Sequence, residues 1–280
     1  MRILAVPAAL LTALSVVACD AGTKSNAGGG PGPRVSFASP RMDAVFAMGT
    51  KKEKQRDKDG KETGTEIDVE TPPKVEVMFD LMNYTIGKVD QGGNGQHIHL
   101  IIDNEPYQAV YDVSQALTLD AKYLTKGTHI LRAFPSAGPK DDKGALEHES
   151  RKNDGAFAWV RFHVGAKGGD LALEFDPAKP MLTYSRPKGE YVVGSANHKK
   201  FMLDWYQTGI SLEKGGLHVS ATLDGKKVGD YVEWKPVILE TSPEVGEHVM
   251  KLELLDRDDR LVAGPFNSTE RKFKVVEKKP

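Results

Sequence analysis

Four short blocks of this chain occur twice in the same order, and a chain that repeats itself in this way must build the same small structure twice. Residues 35–46, with Pro40 in the middle, are matched by 182–193, with Pro187 at the equivalent place. Met78-Phe79-Asp80-Leu81-Met82-Asn83 is matched by Met202-Leu203-Asp204-Trp205-Tyr206-Gln207. Gly95 to Asp103, which holds His97 and His99, is matched by Gly216 to Asp224, which holds His218 and Ser220. Gly127-Thr128-His129-Ile130-Leu131-Arg132 is matched by Gly246-Glu247-His248-Val249-Met250-Lys251. The separation between copies shortens along the chain because the first copy carries extra loop residues.

Inside the blocks the hydrophobic period is two, as in half-buried strands, and no window reads as a helix of ten or more residues. The pattern predicts first-copy strands near 34–38, 44–47, 74–82, 96–103, 106–111, 128–135 and 156–164. In the second copy it predicts 181–185, 190–194, 200–206, 216–223, 229–234, 247–255 and 272–277. Seven short strands in roughly 100 residues is the spacing of an immunoglobulin-like sandwich. An opening strand that breaks at Ser39-Pro40 or Arg186-Pro187 and then resumes resembles the first strand of bacterial immunoglobulin-like and fibronectin type III-like domains. Leu124 to Arg132 also resembles the E–F corner and F strand of such domains. The resemblance implies an all-β chain of two tandem immunoglobulin-like β-sandwich domains, residues 34–165 and 181–277, joined by a linker at 166–180. It implies a fold and no particular function.

The one strongly apolar stretch follows Met1-Arg2 and ends at the only cysteine. It is too short for a comfortable membrane span and reads as a signal peptide over residues 1–18. Val16-Val17-Ala18-Cys19 resembles the lipobox of bacterial lipoproteins. That resemblance implies removal of the signal, lipidation of Cys19 with acyl groups such as palmitate, and a membrane-anchored location in the cell envelope, facing the periplasm or the exterior. Several acyl chains make such anchoring stable. Residues 19–33 hold the modified cysteine and a Gly/Pro-rich tether, whose last fourteen residues reach on the order of 20 Å. No cofactor is expected beyond the lipid on Cys19.

With a single cysteine, neither sandwich can carry an internal disulfide or a CxxC site. The 38 basic and 39 acidic residues nearly cancel, which argues against a nucleic-acid binder held by a basic face. Signatures of catalysis are missing: no GxSxG elbow, HExxH pair or phosphate-binding glycine loop occurs. The expectation is therefore a non-catalytic binding, adhesion or scaffolding module, with an envelope protein or glycan as partner. The rival is a periplasmic copper- or zinc-binding protein using His97 and His99, which alternate with Ile98 and Leu100 and so face outward from their strand. His129 and His248 share the inward parity of their strands and read as packing and hydrogen-bonding residues. Asp57, Asp59, Gly60 and Glu66 imitate an EF-hand spacing, but Gln55 stands at its first position and lysines surround it, so 55–66 reads as a charged loop.

For recognition, the first copy's long B–C (83–95) and F–G (136–155) connections are the leading candidates. Its outward sheet face comes next, with Arg132, Phe134, Trp159 and Arg161. That face is richer in aromatic and apolar groups than its second-copy counterpart, where His218, Ser220, Thr222, Lys251 and Glu253 give a solvated surface. Such an asymmetry predicts either docking on the second domain or its linker, or an external partner.

Overall fold

The computed structural model describes residues 33–87, 95–136, 156–240 and 242–279. The first copy runs through β1 (Arg34–Ser39), β2 (Ala44–Phe46), β3 (Gly49–Arg56), β4 (Glu62–Thr71), β5 (Glu76–Met82), β6 (His97–Ile102), β7 (Gln108–Val110), β8 (Leu117–Thr118), β9 (Gly127–Ser136) and β10 (Ala158–Val164). After the short helix α1 (Asp170–Glu174), the second copy runs through β11 (Met181–Arg186), β12 (Gly189–Val192), the one-turn α2 (Ala196–Lys199), β13 (Met202–Thr208) and β14 (His218–Leu223). It closes with β15 (Lys226–Tyr231), β16 (Val237–Ile238), β17 (Gly246–Leu255) and β18 (Ser268–Val276).

Each copy is a sandwich of a three-stranded and a five-stranded sheet. The orders are β1-β5-β8 and β2-β10-β9-β6-β7 in the first, and β11-β13-β16 and β12-β18-β17-β14-β15 in the second. The two sets are the same topology strand for strand, that of an immunoglobulin-like sandwich. The prolines explain the broken opening strand. Ser39–Pro40 and Arg186–Pro187 are both cis, and each lies where the chain leaves one sheet for the other. A residue without an N–H cannot continue a ladder, so β2 and β12 restart parallel to the last strand of their own copy.

Alternation builds the cores. Ile98, Leu100, Ile102, Leu131, Ala133 and Phe162 meet Val35, Val77 and Phe79 in the first sandwich. Leu203, Trp205, Val219, Met250, Leu252 and Phe273 do the same in the second. Strands β8 and β16 have no counterpart in the sequence-based strand set, because two residues are too few to show a period.

A larger correction concerns 55–66, expected as a charged loop. It is the tip of a β-hairpin, β3–β4, that belongs to neither sandwich sheet. Bases on β3 face acids on β4, with Lys52 at 3.2 Å from Asp68 and Lys54 at 3.1 Å from Glu62. At the tip, Asp57 Oδ1 accepts from the backbone N–H groups of Asp59 (3.0 Å) and Lys61 (2.9 Å), and Gly60 takes the left-handed conformation the turn needs.

The register fixes the two poles of the first sandwich. Arg34 pairs with Met82 and His97 with Ser136, so the tether joins at the pole that also carries the B–C and F–G connections. The hairpin leaves from the opposite pole, where the N–H of Gly165 donates to the carbonyl of Phe46.

Candidate functional site

Four strands have no solvent face. Every residue of β6 is buried, as are nine of the ten in β9, and β11 and β13 are buried along almost their whole length. The cause is a third sheet-on-sheet contact. In β11, Leu182 and Tyr184 enter the second core, while Met181 and Thr183 point the other way, onto the first sandwich. In β13, Leu203 and Trp205 enter the second core, and Tyr206 stacks on Phe134 of β9 with centroids 4.2 Å apart. The five-stranded sheet of the first copy thus lies against the three-stranded sheet of the second, giving four layers.

The contact has two apolar patches. One gathers Ile101, Tyr107, Phe134 and Tyr206, flanked by Phe157 and Trp234. The other gathers Ile130, Phe175, Met181 and Phe266, flanked by Trp159 and Leu171. Phe175 and Leu171 come from α1 and its C-terminus, so the linker is itself part of the packing.

Arg132 contacts both sandwiches at this boundary. It is fully buried, with its guanidinium 3.6 Å from the centre of the Phe266 ring. Its Nη1 donates to Thr183 Oγ1 at 2.7 Å and its Nη2 to the Asp103 carbonyl at 2.6 Å. Burial pushes its pKa down to about 9, with the nearby Asp103 carboxylate opposing and Arg271 adding to the fall. A planar guanidinium tolerates this setting in part because it stacks on a ring while Nη1 and Nη2 find oxygens, although its buried Nε has no hydrogen-bond partner among the described residues.

Polar contacts rim the boundary. Asn104 exchanges hydrogen bonds with Thr269, at 3.0 and 3.1 Å, and its carbonyl accepts from Arg271. Lys188 reaches from the β11–β12 turn to the Tyr107 carbonyl at 2.9 Å and lies over the Tyr107 ring. Burial, and then the charge of Arg186, push the Lys188 ammonium down to about 8.

The structure separates the residues singled out from sequence. Arg132 and Phe134, expected on an outward sheet face that either docks on the second domain or meets an external partner, are each 0% exposed, because the second sandwich covers them. Trp159 sits beside them at the margin, with its ring edge on Phe175 at 5.0 Å. Arg161 turns away to chelate Asp43, Nε to Oδ1 at 2.5 Å and Nη2 to Oδ2 at 3.1 Å. The asymmetry between the two copies is thus an internal docking surface. Cys19 and most of the B–C and F–G connections lie outside the described residues.

His97 and His99 occupy the outward parity of β6 but are 1% and 3% exposed. The carbonyl of Gly95 can only accept, so its 2.7 Å contact places the proton of His97 on Nδ1 and leaves a lone pair on Nε2. That lone pair receives the Nε2–H of His99 at 3.0 Å, so the two Nε2 atoms are bonded to each other. His99 also stacks on Tyr107 at 3.6 Å. Burial holds His97 below its ordinary pKa, and Arg186 and Lys188 add to the fall. Two mutually bonded imidazoles near two cations do not suit a copper or zinc ion. Among the described residues no three His, Cys, Asp or Glu side chains gather to hold a metal.

His129 and His248 reveal a device repeated in both copies. His129 Nδ1 bonds Asp103 Oδ2 at 2.7 Å and its Nε2 the Thr125 carbonyl at 2.7 Å, while Asp103 Oδ1 takes the N–H of Ile130. His248 does the same with Asp224 at 2.8 Å and the Glu244 carbonyl at 2.9 Å, while Asp224 takes the N–H of Val249. The rings stack on Phe162 and Phe273. These are struts between the end of β6 and the start of β9 in the first copy, and between the end of β14 and the start of β17 in the second.

No family model and no curated protein matches the chain. Among solved structures, it is similar to the fibronectin(III)-like modules of Clostridium thermocellum CbhA, at 11% identity and TM-score 0.26, over 87% of this chain and 94% of that one. A second likeness is to three N-terminal domains of the outer capsid protein Hoc of bacteriophage RB49, at 12% identity and TM-score 0.23, over 88% and 70%. A third is to SGBP-B of a Bacteroides ovatus mixed-linkage glucan utilization locus, solved with a heptasaccharide, at 14% identity and TM-score 0.19, over 65% and 61%.

Proposed function

We propose that the chain is a lipoprotein of the bacterial cell envelope, anchored through Cys19, that serves as a non-catalytic binding or scaffolding module for an envelope protein or glycan. One observation carries the scaffolding part of the reading: the most apolar sheet face of the first sandwich is spent on the second, with Arg132 and Phe134 fully buried. Two sandwiches fused in this way form a stiff block, and its poles are the surfaces we assign to a partner. The tether meets the pole of Arg34 and Met82. The β3–β4 hairpin stands at the other.

The anchor is tested by fractionation of cells producing Cys19→Ser. Release of the chain into the soluble fraction is expected, and continued membrane retention would overturn the lipid attachment. For binding, photo-crosslinkers placed on the anchored chain at Met82, at Ile67 and on the solvated face at Thr222 compare the surfaces. Adducts are expected from the first two positions. Adducts from Thr222 alone would contradict a polar-end partner.

A further inference from the structure

Strand β4 alternates with unusual regularity. Thr63, Thr65, Ile67, Val69 and Thr71 share one face, all of them β-branched, and Glu62, Glu66, Asp68 and Glu70 share the other with Gly64. β-Branched residues at every second position suit a strand inside a sheet. Yet β4 pairs with β3 alone, and Ile67 is 41% exposed. A two-stranded ribbon is marginal in water, and three strands are the usual minimum for independent stability. Its ion pairs are exposed and contribute little to holding it.

The charges choose which edge can be extended. On the acid-bearing face, β3 contributes Lys52, Lys54 and Arg56, and its opposite face adds Lys51. A row of lysines is how natural sheets guard an edge against further pairing. The outer edge of β4 has the reverse character. Two of its acids are paired from β3, through Lys52–Asp68 and through Lys54 and Arg56 on Glu62, and Glu70 is paired at the root with Lys126 of the sandwich body. Glu66 has no ion pair among the described residues.

From this pattern we infer that the free edge of β4 receives an extended polypeptide segment, with Lys or Arg at alternate positions and β-branched residues between, added as a third strand of the hairpin. Backbone hydrogen bonds to the edge would supply affinity, and the alternating side chains specificity. The bases of the incoming strand would lie beside Glu66, Asp68 and Glu70, as β3 does on the other flank. Its β-branched residues would extend the Thr65–Ile67–Val69 face. A second copy of this chain fits less well. Pairing its β3 in the hairpin's own register would set the two bodies on the same side, only about two strand spacings of 4.8 Å apart. This names the partner chemistry of the binding module proposed above and rests on that reading, but not on its lipid.

The probe is the peptide Lys-Val-Lys-Thr-Lys-Val-Lys, titrated into the chain carrying Cys19→Ser and followed by fluorescence anisotropy and by amide NMR shifts. Saturable binding with shifts confined to 49–71 is expected. Glu66→Lys with Asp68→Lys should weaken it at least tenfold while the amide shifts of the free variant still show β3 paired with β4, a readout needed because the new lysines stand opposite Lys54 and Lys52. The same peptide N-methylated at alternate residues, which keeps its charge but cannot pair along an edge, should also lose at least tenfold. Equal binding of the methylated and unmodified peptides, indifference to the charge reversal, or concentration-dependent self-association in place of peptide binding would each overturn the inference. Because the assay uses the unlipidated chain, its failure leaves the anchoring experiment untouched.

Discussion

Arg132 of the first sandwich donates to Thr183 of the second at 2.7 Å, and neither is more than 2% exposed. A charged hydrogen bond buried between two domains constrains them strongly. If it breaks, a guanidinium is left in an apolar layer without one of its acceptors.

Removing the acceptor should therefore cost more than the lost hydroxyl suggests. Thr183→Val keeps the shape and is expected to lower the stability of the chain by about 1–3 kcal/mol in urea unfolding. Arg132→Met, which removes the charge but keeps volume against Phe266, should be milder than Arg132→Ala. A Thr183→Val variant as stable as the parent would show that this bond does not hold the boundary.

Asn267 gives a second, chemically sharper test. It is 0% exposed; its Oδ1 accepts from the Leu182 N–H at 2.8 Å, and its Nδ2 donates to the carbonyls of Pro180 at 3.0 Å and Val262 at 3.2 Å. The side chain ties the end of the linker to the second sandwich. Asn267→Asp turns the donor end into an acceptor facing those carbonyls. It should destabilise more than Asn267→Ala, whose cost is expected at about 1–3 kcal/mol for stranded partners. The opposite order in calorimetry would mean that the Asn267 amide does not donate to those carbonyls.

The Asp–His struts make stability depend on pH. Burial pulls the His129 imidazole down, but the hydrogen bond and charge of Asp103 and the Thr125 carbonyl outweigh it, leaving the folded value above 6.5. His248 is raised in the same way by Asp224 and Glu244. The unfolded chain takes up fewer protons there, so this contribution is complete below pH 6.5 and is lost as pH rises through the folded values. His129→Gln should flatten the fall in stability that begins above pH 6.5. An unchanged profile would show that the Asp103–His129 pair is not charged.

Copper and zinc supply a fourth test, aimed at His97 and His99. A divalent ion held by both Nε2 atoms must displace the proton they share at 3.0 Å, beside Arg186 and Lys188. Calorimetric titration should show no one-equivalent site in the micromolar range. A site of that affinity, abolished by His97→Ala with His99→Ala, would overturn this reading of the pair.

Much of the architecture is legible in the sequence because its signals are local. Pro40 and Pro187 mark the sheet switch, and the inward parity of His129 and His248 comes directly from the alternation of their strands. What stayed hidden depends on long-range packing. Parity places His97, His99, Arg132 and Phe134 on one face correctly, but it cannot say that Tyr206, Met181 and Thr183 will cover that face. One clue is present: β6, β11 and β13 have few charges on either parity, as strands buried on both faces do. The hairpin was obscured by its own charges. The lysines around Asp57 suggest a solvated loop until residues 62–71 are read for period two.

The docked boundary is tested most directly by electron–electron distance measurement between spin labels at Val45 and Val245. These positions lie on different sandwiches and are 53% and 51% exposed. In the Cys19→Ser background both labels are unique. A block sealed by Arg132, Phe134 and Tyr206 predicts one narrow distance distribution that Thr183→Val broadens. A broad or multi-peaked distribution in the otherwise unaltered chain would contradict the docking and leave two independently moving sandwiches.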